Sequence, residues 1–373
     1  MIATLRVWSY QLALLMASMA GSSARPPRRH YRLAILKLDR LGDAVLSLGA
    51  VKHLVGTLAE ADVLLIVSPI AEPLFRTELP KTDLLVLPAF CGRFWPDFLL
   101  FLWRHAVQLR SLSVDSLVCL RHQPSDYLHA IARLIRPQSC HASAWNKPRG
   151  SLGLTFPAVT QTPYPLTRDD VCLELEAHRR VVGSAVGGEV KMTEVMPAIS
   201  SVSSRGGDML LVCPQAGSKI REYPPALLVE ALRLFLEKRP MPVHFCVAPG
   251  TDTGPWRLAL AEAGLYSVTW HIPTLFMDLL RLLANSRLVL APESAPAHLV
   301  TAMNKPGVFL LGGGHYDMFA PWRSSALQIW LNHPLRCYQC DWNCIHSEPF
   351  CVTQIPPAAI AAAMQKICSA AEV

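Results

Sequence analysis

The chain has 373 residues, of which 51% are hydrophobic and 17% charged, and a net charge of +7. That length favours two domains over one core, and that apolar share excludes a disordered chain. The moderate positive charge suits an anionic ligand or an anionic membrane surface, and without a basic stripe, helix-turn-helix, zinc-finger or RNA-binding signature no nucleic-acid partner is expected.

Residues 7–20 are mostly apolar, with Arg6 before them and the Gly21–His30 stretch, rich in Arg and Pro, behind them. This extension, residues 1–29, reads as a signal peptide, as a surface-lying helix with a basic flank, or as a start-site extension without a role, and it is short for a membrane span.

Residues 33–38 predict a strand, and Val45, Leu48, Val51, Leu54 and Val55 the apolar stripe of a helix. Between them lies Asp39-Arg40-Leu41-Gly42-Asp43, where Gly42 permits a tight turn or a close ligand approach. A carboxylate at a helix start is kept ionised by the helix dipole, so Asp43 is either a helix cap or a general base. Strands follow at 63–67, 84–87 and 116–120, and helices at 98–112 and 127–135, an alternation that implies a parallel sheet. The stretch 181–208 is rich in Gly and Ser with little periodicity, which places a linker there, at 191–208.

Alternation then resumes, with strands at 209–213, 243–248, 288–291 and 307–311 and helices at 225–237, 256–263, 274–284 and 297–303. Three turns stand out. Gln215–Pro224 offers Gly217, Ser218, Lys219 and Arg221, a set suited to phosphate oxygens or to a solvated loop. Glu293-Ser294-Ala295-Pro296-Ala297-His298 opens a helix whose start either is capped by Ser294 or holds a diphosphate, with His298 structural or functional. Gly312-Gly313-Gly314-His315 allows backbone to approach a ligand closely.

Seven of the eleven cysteines are scattered, several in apolar runs, and read as buried small hydrophobes in a reducing compartment. The other four, Cys337, Cys340, Cys344 and Cys351, cluster within a loop at 337–351 before a final helix at 357–371. They suit a structural zinc, disulfides or a packed thiol cluster, and their position after the last of these strands predicts a staple outside every strand-to-helix turn.

Taken in order, these motifs resemble the heptosyltransferase family, glycosyltransferase family 9. Leu38–Leu46 looks like its R-x-D-R-x-G-D-x-x-L segment, Pro214–Pro224 its P-G-A-S…K-x-W/Y-P loop, and Pro292–Pro306 its P-D-T-G-x-x-H-x-A-A-A-x-x-x-P motif. Leu311-Gly312-Gly313 and Ala320-Pro321-Trp322 are similar to F-G-P…G-P, and the tail through Cys351 and Ile355 to the Cys-rich end of some members. The chain departs from the pattern where Glu293-Ser294-Ala295 stands for Asp-Thr-Gly and Arg221 for a usual Lys.

The resemblance implies an α/β GT-B fold, two Rossmann-like doubly wound domains facing a cleft. An acceptor-binding domain would span 30–190. A nucleotide-sugar donor domain would span 209–355, with 356–373 as a closing helix. It implies an inverting, metal-independent transferase that needs no cofactor, with Asp43 as catalytic base and Arg40 and Gly42 on the acceptor side. The donor and its diphosphate would meet Gly217, Ser218, Arg221, Glu293, Ser294, Ala295, His298, Gly312 and Gly313. The donor would be an ADP-heptose-like nucleotide-diphosphate sugar and the acceptor a lipopolysaccharide or other surface glycan. The enzyme would be cytoplasmic, with peripheral contact at the inner face of the membrane. The rival readings are a non-catalytic nucleotide-sugar or glycan-binding protein and a nucleotide-sugar epimerase.

Overall fold

A computed structural model describes residues 29–88, 95–121, 126–144, 159–163, 172–203, 206–323 and 325–370. The extension at 1–28 and Cys91 lie outside the described residues. The chain divides into two compact units at Met196 and Pro197, with Leu41–Leu46 grouped with the second.

The first unit holds a parallel sheet built from β1 (His30–Lys37), β2 (Val63–Val67), β3 (Asp83–Val86), β4 (Ser113–Cys119), β5 (Ser139–Ala144) and β6 (Val159–Pro163). Their spatial order is β3-β2-β1-β4-β5-β6. Every residue of β2 is buried, as expected of a central strand covered on both faces. The crossovers include α1 (Leu41–Gly56), α2 (Glu72–Glu78), α3 (Trp95–Arg110) and α4 (Asp126–Ile135), and α5 (Leu173–Val186) and α6 (Met192–Val195) follow β6.

The second unit repeats the design with β7 (Leu210–Val212), β8 (Val243–Cys246), β9 (Val268–His271), β10 (Leu288–Pro292), β11 (Gly307–Leu310) and β12 (Gln328–Leu331). Its order is β12-β11-β10-β7-β8-β9, all parallel. The helices are α7 (Pro225–Leu236), α8 (Gly254–Glu262), α9 (Phe276–Ala284), α10 (Ala295–Ala302), the one-turn α11 (Phe350–Thr353) and α12 (Pro357–Ala370). Pro225 starts α7 at a position where a missing N–H costs nothing.

Most strands lie within a few residues of their predicted places. The stretch read as starting a linker at 181 is instead helical through Val186. Its inward face includes Glu174 and His178, both 1% exposed, so polar residues stand where an apolar stripe would have marked the helix. A further turn of helix, α6, lies inside 191–208, with the Glu194 carboxylate accepting from the Lys191 N–H at 2.7 Å.

Candidate active site

Both sheets have the doubly wound order in which the direction of strand succession reverses between two central strands, and ligands bind beyond the strand C-termini at that reversal. In the second unit the reversal falls between β7 and β10. The two turns singled out from sequence, Gln215–Pro224 and Glu293–His298, are the segments that leave those two strands.

The first turn is held from within. The Gln215 side-chain carbonyl accepts from the Ala248 N–H at 2.8 Å and the Thr251 hydroxyl at 3.1 Å, and the Glu222 carboxylate accepts from the Ala216 N–H at 3.3 Å. This leaves Gly217, Ser218 and Lys219 exposed and winds Lys219–Arg221 into a short 3-10 turn. Arg221 is thereby carried across to β10, where its Nη1 lies 3.4 Å from Glu293 Oε1.

Glu293 is 3% exposed. Its Oε1 meets two cations, Arg221 and His315, whose Nδ1 lies 3.2 Å away, while its buried Oε2 has no hydrogen-bond partner. Burial alone would raise the Glu293 pKa; His315 and Arg221 outweigh it and hold the carboxyl below its ordinary value. Burial likewise opposes charge on His315, but Glu293 and Asp341 win, and its pKa is pushed up to about 9. Asp341 Oδ1 stands 3.7 Å from His315 Nε2.

Ser294 does not cap α10. Its hydroxyl donates to the Pro292 carbonyl at 3.0 Å, so the first-turn N–H groups of the helix have no side-chain cap. His298 lies one turn in, and the Trp322 indole N–H donates to its Nδ1 at 3.1 Å. That bond assigns the proton of the neutral ring to Nε2. Burial, the largest influence, lowers the His298 pKa to about 4, so the ring is neutral at physiological pH and Nε2 is a donor.

A Cβ on Gly42 would stand 3.1 Å from His298 Cδ2, closer than most neighbours tolerate. This close approach is the physical reason for glycine in the first turn of α1. Asp43 follows it as the acidic residue of that turn.

The loop at 337–351 corrects one expectation. Its place after the last strand predicts a staple away from the site, yet it packs onto the turn that leaves β11. A Cβ on Gly312 or Gly314 would run into the Trp342 ring, and one on Gly313 into Tyr338. The Gln339 and Asp341 N–H groups donate to the Gly313 and Gly314 carbonyls at 2.7 and 3.2 Å. His315 meets the Trp342 ring edge-on with centroids 5.5 Å apart. The loop is therefore a wall of the site.

Cys337, Cys340 and Cys344 are partly exposed and Cys351 is buried, all as free thiols. Among the described residues no His, Cys, Asp or Glu group of three or more is arranged to hold a metal ion.

In the first unit, the end of β1 carries a buried charge cluster. Lys37 is 1% exposed, donates to the Leu120 carbonyl at 2.7 Å, and lies 3.1 Å from Asp39 and 4.0 Å from Glu174. Arg121 meets Asp39 at 3.3 Å, and His178 meets Glu174 at 3.1 Å. Burial would raise the Asp39 pKa, but Lys37 and Arg121 outweigh it and hold it below its ordinary value. Arg40, next in the chain, is exposed and precedes α1.

Sequence reasoning reached the turns but not Trp322, Asp341 and Trp342 as parts of the site, and it noted His315 only as the end of a glycine run. Three consecutive glycines were the available signal, since the space they leave has to be filled by large side chains from elsewhere.

Residues 194–345 match the model of glycosyltransferase family 9 (heptosyltransferase). A comparison with curated proteins gives no match. Among solved structures, a family 9 glycosyltransferase from Veillonella parvula is similar with a TM-score of 0.65 at 13% identity, covering 94% of this chain and 100% of that one. The ADP-heptose lipopolysaccharide heptosyltransferase II of E. coli gives 0.63 at 14% identity, over 92% and 100%. The E. coli heptosyltransferase WaaC, solved with ADP-2-deoxy-2-fluoro heptose, gives 0.61 at 11% identity, over 90% and 99%. With two parallel-sheet units and a reversal-point site in the second, the chain has a GT-B fold whose residues 194–345, spanning both turns of that site, match the glycosyltransferase family 9 (heptosyltransferase) model.

Proposed function

We propose that this glycosyltransferase moves a heptose or related sugar from an ADP-heptose-like donor to a hydroxyl of a lipopolysaccharide or other surface glycan, with inversion at the anomeric carbon. The observation that carries the reading is the meeting of Arg221 and Glu293 from the two turns at the β7–β10 reversal, within the family 9 match.

The diphosphate lies against Ser218, Gly217, Arg221 and the uncapped start of α10 at Ser294 and Ala295, where N–H groups and positive charge converge. Gly312 and Gly313, whose faces are filled by Trp342 and Tyr338, let the Cys-rich loop close in beside the donor site. Glu293 accepts from sugar hydroxyls, and neutral His298 donates through Nε2. Asp43 takes the proton from the acceptor hydroxyl as it attacks, with Arg40 and Gly42 on the acceptor side. Negative charge grows on the departing diphosphate, and the fixed cation and amide dipoles stabilise it more as it grows. That role is the one a metal ion plays in other transferases, and here the protein's own groups fill it.

The acceptor class suggests work at the cytoplasmic face of a membrane. No helix among the described residues is long and apolar enough to cross one. On α3, however, Leu100, Trp103 and Val107 are 42%, 77% and 57% exposed, one helical turn apart, with Arg104 beside them. Such a face suits the boundary of headgroups and acyl chains, which supports peripheral contact.

A thermal-shift series with nucleotide-diphosphate sugars tests the donor assignment. A ligand at 100 times its dissociation constant stabilises by about 2.7 kcal/mol, so ADP-heptose should raise the Tm where other nucleotide sugars do so less. No shift with any of them would remove the donor site. Arg221→Ala should weaken ADP by about 1.5–3 kcal/mol, the worth of a charge-assisted contact, and leave adenosine nearly unchanged. Equal loss for both would make Arg221 a support for its loop only.

A further inference from the structure

Glutamate stands where the family motif has aspartate, and the longer side chain carries one more rotatable bond. A carboxylate on such an arm holds a ligand well only if something fixes it. In this chain two cations converge on one oxygen, Oε1, and the other, Oε2, is buried and unpartnered. An unpartnered acceptor in a carboxylate that is 3% exposed is costly unless a ligand supplies the missing donor.

The second cation is not part of the turns at the reversal point. His315 follows the glycine run after β11, and its far nitrogen faces Asp341 from the Cys-rich loop. Trp342 covers the same ring, and Phe319 lies against it with centroids 4.7 Å apart. The backbone of Asp341 is itself tied to Gly314. The result is a chain of contacts, Asp341 to His315 to Glu293, that ends at the free oxygen.

We propose that Asp341 and His315 are a positioning pair for Glu293, setting its Oε2 to receive a hydroxyl of the donor sugar. The Cys-rich loop thus reads the sugar without touching it, and its integrity bears on which sugar is held. The proposal rests on the donor reading above. It predicts that the pair affects the sugar and not the nucleotide, because Arg221 and the start of α10 hold the diphosphate without it.

Calorimetric titration of the full chain with ADP and with ADP-heptose tests this. The readout is the ratio of the two dissociation constants. Asp341→Asn, at a side chain that is 44% exposed, and His315→Asn should each lower the preference for ADP-heptose about tenfold, one unit on the affinity scale, while ADP affinity stays within about twofold. Asp341→Glu should restore the preference. In a Glu293→Gln background, Asp341→Asn should add nothing further, since interacting residues are non-additive. Parallel loss of ADP and ADP-heptose, an unchanged ratio, or an undiminished Asp341→Asn effect in the Glu293→Gln background would each overturn the pair. Equal affinity of the unaltered chain for both ligands would overturn it too, with the nucleotide site intact. Binding of neither ligand would overturn the donor reading and this inference with it.

Discussion

Asp43→Asn is expected to lower kcat by about 10²–10⁴-fold, the usual worth of a general base, with donor affinity nearly unchanged. The substitution keeps size and removes the ability to accept a proton. Asp43 sits in the first turn of α1, directly after the glycine that lies against His298. Steady-state turnover measured beside ADP-heptose binding checks it. Near-normal turnover would take Asp43 out of the mechanism. A fall in both quantities together would make it a support for the helix start.

Lys37→Met is expected to cost about 3–5 kcal/mol of stability, because removing one partner of a buried ion cluster leaves the others uncompensated. Lys37 answers two carboxylates and the Leu120 carbonyl at the end of β1. Methionine fills the space and brings no charge, so the loss is electrostatic and not a cavity. Denaturant unfolding should show the lower midpoint. Adding Glu174→Gln should recover part of it by removing one of the stranded charges. A double variant no better than the single would place the cost in the Asp39 contact or in packing.

The legible part of the fold was the part made of apolar runs. Val63–Val67, Leu288–Pro292 and Gly307–Leu310 are buried along their whole length, and the sequence shows them as unbroken hydrophobic stretches. Strands β5, β6, β9 and β12 were not seen. Three of them are sheet edges and the fourth lies next to one, and their sequences, such as Val-Thr-Trp-His in β9, mix polar and apolar residues. Helix α5 is hidden for a related reason: Glu174, which faces Lys37, and His178 beside it occupy its inward face, so no apolar stripe marks it.

The site divides in the same way. Arg221 and Glu293 lie in turns next to strong strands and His298 in the first turns of the helix that follows, and such a strand-to-helix junction can be read from sequence. Trp322, Asp341 and Trp342 reach the site through tertiary packing, which no local pattern encodes. The departure of Glu293 from the family's aspartate was visible, but its compensation by His315 and Asp341 was not, because those partners are 22 and 48 residues away.

The most direct measurement combines the chain with ADP-heptose and a lipopolysaccharide core acceptor lacking its heptose, follows ADP release, and determines the anomeric configuration of the new linkage by NMR. The account predicts one ADP released for each acceptor glycosylated, with the configuration opposite to that of the donor. Donor binding without transfer, ADP release without a glycosylated product, or retention of configuration would contradict it.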